Sequence, residues 1–193
     1  FEREDPRPAD FWAGRLRLVV SGGSQGARAI NRAVVEALPL LASLPGGIEV
    51  VHQTGSADRE WVEAAYRSAG VEARAEAFLP DMACVLRRAH LVVCRAGALT
   101  LAELQAVGAA ALLIPFPHAA GGHQEANARH LAEAGAAEFL LESEASGERL
   151  AERVAALARE RERLRALGER AKAFARPDAA RRLAELCREL AQP

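Results

Sequence analysis

The sequence predicts an α/β domain built as a Rossmann-like, doubly wound parallel sheet. Short apolar runs rich in branched residues recur along the 193-residue chain. The stretches between them have the length and patterning of helices, and several runs end in glycine-bearing turns that open the next helix. Strands alternating with helices of this size mark βαβ units and a parallel sheet.

The elements follow in order. Residues 16–20 (LRLVV) read as a buried strand closed by Ser21-Gly22-Gly23, and 24–38 as a helix. Residues 48–53 (IEVVHQ) give a second strand, 57–69 a helix and 71–78 a weaker strand. A short helix covers 82–88 after Pro80, followed by a strand at 91–94 and a helix at 99–107. Residues 111–116 form a strand stopped by Pro115 and Pro117, 123–134 a helix, and 137–141 the last strand. From Gly147 onward, Leu150, Val154, Leu157, Leu164 and Leu167 recur at helical spacing among Arg and Glu, which predicts one or two amphipathic helices on the sheet. Pro177-Asp178 restarts a further helix with Leu183, Leu186 and Leu190 on one face. Residues 1–14, charged and Pro-bearing, read as a linker, 15–176 as the Rossmann-like domain and 177–193 as a C-terminal helix.

Composition narrows the function. With 25 Lys+Arg against 26 Asp+Glu the net charge is −1, too small a field for non-specific nucleic-acid binding or attraction to an anionic membrane. Aromatic residues make up only 5%, which argues against a base-stacking platform. Cys84, Cys94 and Cys187 form no CxxC pair, so the expected compartment is reducing and cytoplasmic. The longest apolar stretch, 109–116, is far short of the roughly 18 residues a membrane-spanning helix needs.

Three segments carry chemistry. SGGSQGA (21–27) stands between a strand and a helix, where glycines let the backbone turn tightly and a helix N-terminus attracts phosphate. Its spacing is neither GxGxxG nor a P-loop, so alone it is either a structural turn or a phosphate site. CRAGALTLAE (94–103) repeats the arrangement: Ala98, Leu99 and Thr100 would expose their amides at a helix start. Glu103, one turn in, is either a carboxylate favoured by the helix dipole or a partner for a sugar hydroxyl pair. Two such turns at carboxyl ends of parallel strands converge where doubly wound sheets bind ligands. In IPFPHAAGGHQEANARHL (114–131), His123, Gln124 and Asn127 stand at a helix start, able to hydrogen-bond a polyhydroxylated ligand. His118, His123 and His130 lack metal-ligand spacing, so no metal site is expected. A fourth stretch, Phe78-Leu79-Pro80-Asp81-Met82, sits at a strand end, with Asp81 placed to cap the next helix.

Taken together, GGSQGA, HQTG (52–55), the F-x-x-DM turn (78–82), CRAGALTLAE and IPFP…HQEANA (114–128) resemble, in order and spacing, the C-terminal half of the MurG family. That family comprises the bacterial UDP-N-acetylglucosamine:lipid I N-acetylglucosaminyltransferases of peptidoglycan synthesis. The resemblance runs from about Leu16 to the end and implies the C-terminal, donor-binding domain of a GT-B glycosyltransferase. Carried over by matching position, Ser24 would contact the donor diphosphate, with Gly23 and Gln25 beside it, and Leu79 would hold the uracil edge through its main chain. Ala98, Leu99 and Thr100, with Leu101 and Ala102 behind them, would form the turn over the phosphates, and Glu103 would take the ribose hydroxyls. Gln124, with His123 alongside, would read the GlcNAc hydroxyls.

No catalytic residue is expected within this chain. No cofactor is expected beyond Mg as a counter-ion of UDP at most. The family's N-terminal domain, with its acceptor site for lipid I, its general base and its membrane-touching patch, has no counterpart here. The resemblance therefore implies a chain that binds UDP-GlcNAc without transferring it, part of an enzyme peripheral to the cytoplasmic face of the inner membrane. The segment after Cys94 reads RAGA where the family has RSGA, a change small enough to tolerate. The alternative is an unfused UDP-GlcNAc-binding subunit of a split two-subunit transferase. A nicotinamide-dependent oxidoreductase would need GxGxxG and an acidic residue ending the second strand, where His52-Gln53-Thr54 stands instead.

Overall fold

The computed structural model of the chain describes Pro8 and residues 10–191. Six strands, β1 (Leu16–Ser21), β2 (Ile48–Gln53), β3 (Glu72–Glu76), β4 (Leu91–Cys94), β5 (Ala111–Leu113) and β6 (Glu138–Phe139), form one sheet. Their order is β3-β2-β1-β4-β5-β6 and every neighbouring pair is parallel. This is the strand order of a Rossmann sheet, in which the direction of winding reverses between β1 and β4. All four residues of β4 are buried, as are five of the six in β1, which explains the unbroken apolar sequence of β4 and the single charged residue, Arg17, in β1.

The helices are α1 (Arg28–Leu41), α2 (Arg59–Ala69), α3 (Met82–Arg88), α4 (Ala98–Val107), α5 (His123–Glu133), α6 (Gly147–Arg159), α7 (Arg161–Ala173) and α8 (Ala179–Leu190). One face of the sheet carries α1, α2 and α6. Ile30, Val34 and Leu38 of α1 meet Val62 and Tyr66 of α2 and Leu150, Val154 and Leu157 of α6 in a single cluster with β1 and β2. Ser146 caps α6, accepting a hydrogen bond from Arg149 N at 3.2 Å. The other face carries α3, α4 and α5, whose Leu86, Leu101, Leu104 and Leu131 pack on Val92, Ala111 and Leu113. Helix α7 contributes Leu164 and Leu167 to the first cluster and Ala171 to the second, closing the end of the sandwich. Glu138 on the edge strand is paired with both Arg153 of α6 and Arg163 of α7.

Several boundaries differ from expectation. Helix α1 begins at Arg28 rather than Ser24, because Gly23 (φ +85°) and Gly26 (φ +77°) keep the intervening residues in a loop. Strand β5 stops at Leu113 rather than 116: the Ile114 and Pro115 carbonyls accept from Arg95, and Pro115 and Pro117 have no N–H to offer a ladder. Strand β3 is shorter than expected at both ends, and β6 has two residues. Helices α6 and α7 pack as expected. Helix α8 does not: Leu183, Leu186 and Leu190 are 62%, 50% and 79% exposed. Of the segment 1–14, residues 1–7 and 9 lie outside the described residues. Residues 10–13 form a turn under β1 whose Phe11 is buried edge-on against His90, with ring centroids 5.0 Å apart.

Candidate functional site

The carboxyl ends of the strands gather the segments singled out in the sequence. After β1 the chain runs through Gly22 to Ala27 into α1, with Ser24 and Gln25 exposed. After β4 it turns at Gly97 into α4, with Leu99 83% exposed. Neither helix has a side-chain cap: Ala27 precedes α1 and Gly97 precedes α4. In each, the fourth amide is the first to bond within the helix, Asn31 N to Ala27 O at 2.9 Å and Leu101 N to Gly97 O at 3.0 Å. The amides of Arg28, Ala29 and Ile30, and of Ala98, Leu99 and Thr100, therefore lie in first turns with no intrahelical acceptor. Because β1 and β4 are neighbours, the two helix starts flank the point where the winding reverses. Two adjoining helix N-termini make a site that favours a polyanion.

The other expected residues fall into three groups. Leu101 is a core side chain, while Ala102 is exposed on the same helix. Glu103 is half-buried, and desolvation raises its carboxyl above the usual 4.5. Its charge, after burial, helps push the neighbouring Cys94 thiol up to about 12, so that thiol is inert. Leu79 is buried, its amide donated to Gln53 Oε1 at 3.0 Å, and Asp81 caps α3 by accepting from Cys84 N at 3.0 Å.

Gln124 and Asn127, on one face of α5, stitch the ends of β4 and β5. Gln124 Oε1 accepts from Ala96 N at 3.2 Å and Phe116 N at 3.0 Å, and Asn127 Nδ2 donates to Ala96 O at 3.1 Å. With its oxygen held by two main-chain donors, Gln124 offers only its Nε2 hydrogens, 4.0 Å from where a Cβ on Gly97 would stand. The group facing the α4 helix start is therefore a hydrogen-bond donor. His123 is exposed and its Nδ1 meets Ala120 O at 2.6 Å.

Beneath the first loop lies a polar cluster that sequence reading missed. Asn31 Nδ2 donates to Thr54 O and to Asp58 Oδ2, both at 2.9 Å, which leaves Asn31 Oδ1 to accept from His52 Nε2 at 3.0 Å. His52 Nδ1 is then the acceptor for the Tyr66 hydroxyl at 2.9 Å. Burial lowers the His52 pKa to about 3 against the opposing charge of Asp58, so the imidazole is neutral. Burial works to raise Asp58, but bonded neighbours including Asn31 and the charges of Arg28 and Arg32 outweigh it and hold it below 3.8. The signal in the sequence was three polar residues, His52-Gln53-Thr54, following the apolar Val50-Val51 at the end of the strand.

Two cavities of about 470 and 490 Å³ lie elsewhere, on the open sheet face beside α3 and at the β6 edge. Of the strand-end segments only Asp81 lines either of them. Among the described residues no three His, Cys, Asp or Glu are grouped to hold a metal, and no helix is long and apolar enough to cross a membrane.

A family model, the glycosyltransferase family 28 C-terminal domain, matches residues 17–183. The chain belongs to that family. Among curated family 28 relatives, it is 54% identical over 167 residues to the UDP-N-acetylglucosamine--N-acetylmuramyl-(pentapeptide) pyrophosphoryl-undecaprenol N-acetylglucosamine transferase of Pelobacter propionicus. It is 47% identical over 176 residues to the protein of the same name from Myxococcus xanthus. These alignments cover 86% and 91% of this chain but 44% and 46% of the relatives, so the chain spans about half their length. The crystal structure of Acinetobacter baumannii MurG superposes with a TM-score of 0.84 at 34% identity, covering 96% of this chain and 55% of that one. The glycosyltransferase VinC, at 20% identity and a TM-score of 0.66, covering 95% of this chain and 44% of that one, shares the fold. The family 28 domain is thus the Rossmann-like sheet expected, with GT-B glycosyltransferases as its structural neighbours.

Proposed function

We propose that this chain is the donor-binding half of an inverting transferase that moves GlcNAc from UDP-GlcNAc to the muramyl hydroxyl of lipid I, giving lipid II. The observation that carries this reading is the pair of uncapped helix starts of α1 and α4 at neighbouring strand ends. A diphosphate bridging them would be favoured by both helix dipoles, and a donor-only Gln124 stands at the edge of the second. The names and identities of the relatives support UDP-GlcNAc as the donor.

The chemistry follows from where charge develops. As the acceptor oxygen attacks the anomeric carbon, the bond to the diphosphate breaks and negative charge grows on the departing oxygen. Preorganised amides and helix dipoles lower the energy of that charge without reorganising. In this reading Ser24, with Gly23 and Gln25, holds the diphosphate over α1, while Ala98, Leu99 and Thr100 cover it from α4. The Leu79 carbonyl takes the uracil edge, since its amide is spent on Gln53. Glu103 takes the ribose, and Gln124 donates to an oxygen of the sugar. The acceptor site, the general base and any membrane contact lie in the half that the chain does not share with its relatives. The chain alone is expected to bind donor and not to transfer it.

Calorimetric titration with UDP, UDP-GlcNAc and NAD tests this. Saturable binding of both uridine nucleotides with none of NAD is expected; no uridine-nucleotide binding at millimolar ligand would sink the proposal. Gln124→Ala removes the outward donor without setting a charge beside the α4 helix start. It is expected to weaken UDP-GlcNAc by about tenfold, the loss of one buried hydrogen bond, and to spare UDP. Equal losses for both ligands would remove Gln124 from sugar reading.

Glu103→Ala is expected to cost about 1–3 kcal/mol of UDP affinity, the range for charge-assisted bonds to a diol. A pH series on UDP-GlcNAc, which has no second phosphate proton to take up near pH 6, isolates the carboxylate. Because the Glu103 pKa is raised, protonation begins above 4.5. Affinity is therefore expected to fall on acidification, starting from a higher pH than an unperturbed carboxyl would give, and Glu103→Gln is expected to flatten that fall. A pH profile identical in wild type and Glu103→Gln would assign the dependence to another group.

A further inference from the structure

We propose that Gln53 is a positioning residue of the donor site, setting the separation between the loop after β1 and the turn after β3. This rests on the donor-site reading above. Gln53 Nε2 donates to Gly23 O at 2.7 Å, and Gln53 Oε1 accepts from Leu79 N at 3.0 Å. The side chain is the last of β2, the strand between the two segments it joins only at their tips, and Gln53 is 2% exposed. A carboxamide carries a donor on one branch and an acceptor on the other, which is what a main-chain carbonyl on one side and a main-chain amide on the other require. A carboxylate satisfies only the amide. An apolar side chain satisfies neither, and burial excludes water from replacing them.

Two further contacts make β2 the fixed member of this arrangement. Its end continues into β3 through Thr54 N to Glu76 O at 2.9 Å and Gly55 N to Ala77 O at 3.2 Å, which carries the chain to Phe78 and Leu79. On the other side, Asn31 ties α1 to Thr54 O and, through His52, to β2 itself. The Gly23 carbonyl lies next to Ser24, and the Leu79 amide belongs to the residue whose carbonyl is left for the base. Through one side chain, therefore, the position of the phosphate loop is referenced to the position of the base-reading turn. A ligand with a base at one end and a diphosphate at the other gains from that fixed spacing, because neither segment has to be ordered on binding.

The test compares uridine with UDP, by NMR titration, in wild type, Gln53→Glu and Gln53→Met. The ratio of the two Kd values reads the contribution of the diphosphate. Gln53→Glu keeps the Leu79 bond and sets a carboxylate oxygen against the Gly23 carbonyl. The expected result is uridine affinity within about twofold of wild type and UDP affinity reduced at least about tenfold, so that the ratio collapses. In Gln53→Met both bonds are lost at nearly constant volume; both ligands are expected to weaken, and hydrogen exchange at the Leu79 amide is expected to accelerate. A purely structural role would lower Tm while leaving the ratio unchanged in the folded protein. An unchanged ratio in Gln53→Glu, or, if that variant does not fold, unchanged UDP affinity in Gln53→Met, overturns the proposal. Wild-type protein that binds neither ligand would overturn the donor-site reading itself and this role with it, an outcome visible before any variant is made.

Discussion

Gly26→Ala is expected to lower the stability of the chain by about 3 kcal/mol, combining overpacking with a left-handed backbone. A Cβ at Gly26 would stand 2.2 Å from Thr54 O and 2.9 Å from Thr54 C, main-chain atoms that cannot rotate away. The φ of +77° adds a conformational cost that glycine does not bear. Gly23 provides the internal control. Its φ is +85°, but a Cβ there meets nothing within 4 Å, so Gly23→Ala is expected to cost only about 1 kcal/mol, the conformational part alone. For a domain of this size the two losses correspond to Tm decreases of roughly 6–12 °C and 2–4 °C, read by thermal unfolding. Equal shifts would mean that the close approach between the first loop and the end of β2 is not maintained in solution. The larger loss carries a functional one: pushing Gly26 off Thr54 displaces the loop that presents Ser24, and UDP affinity is expected to drop further than in Gly23→Ala.

Acid is expected to weaken the fold through His52. Its pKa is lowered from 6.5 to about 3 because charging a buried ring costs solvation, an effect larger than the attraction of Asp58. The unfolded chain takes up a proton below about pH 6.5 while the folded chain does not. Stability from this group is complete above the unfolded value and is lost progressively as pH falls toward the folded one. Between pH 7 and pH 5 the loss amounts to about 2 kcal/mol. Asp58, whose pKa is lowered, changes stability only further down, near and below 3.8. Glu103, whose pKa is raised, acts in the opposite direction and slightly offsets the loss. Urea unfolding at the two pH values measures the difference, and His52→Gln, less stable throughout, is expected to show a much smaller one. A wild-type curve unchanged from pH 7 to pH 5 would mean that His52 takes its proton in the folded state. The network makes that costly, since Nδ1 is held by the Tyr66 hydroxyl and Nε2–H is already given to Asn31.

The sheet and its order of helices were legible because parallel strands buried on both faces write themselves as apolar runs. β4 coincides with its expected bounds for this reason, while β2 and α3 coincide with theirs through the turn residues that flank them. The start of α1 was not legible: SQGARAI is compatible with a helix apart from Gly26, and the positive φ of Gly23 and of Gly26, the latter in close contact with a segment about thirty positions away, postpones the helix to Arg28. The strand-end segments of the site were legible as turns before helices, since that signal is local. Gln53 and the Asn31–His52–Asp58 cluster were not, because their bonds reach residues 14 to 30 positions distant. A polar residue closing an apolar strand announces that it must be paired, but not with what. Helix α8 shows the converse, an amphipathic pattern as clear as that of α6, yet with no partner among the described residues.

The position of β1 has a consequence for the order in which the molecule can assemble. Within this sheet it is the first strand made, yet its second neighbour is β4, whose last residue, Cys94, follows Ser21 by more than seventy positions. A growing chain can pair β1 with β2 and β3 early, but the other edge of β1 stays open until β4 has emerged. Only then do the two helix starts come to face one ligand. A nucleotide that spans both helix starts finds its full site only once β4 and α4 have emerged, so ligand protection during synthesis would report the arrival of β4 and α4 rather than of β1 to β3 alone.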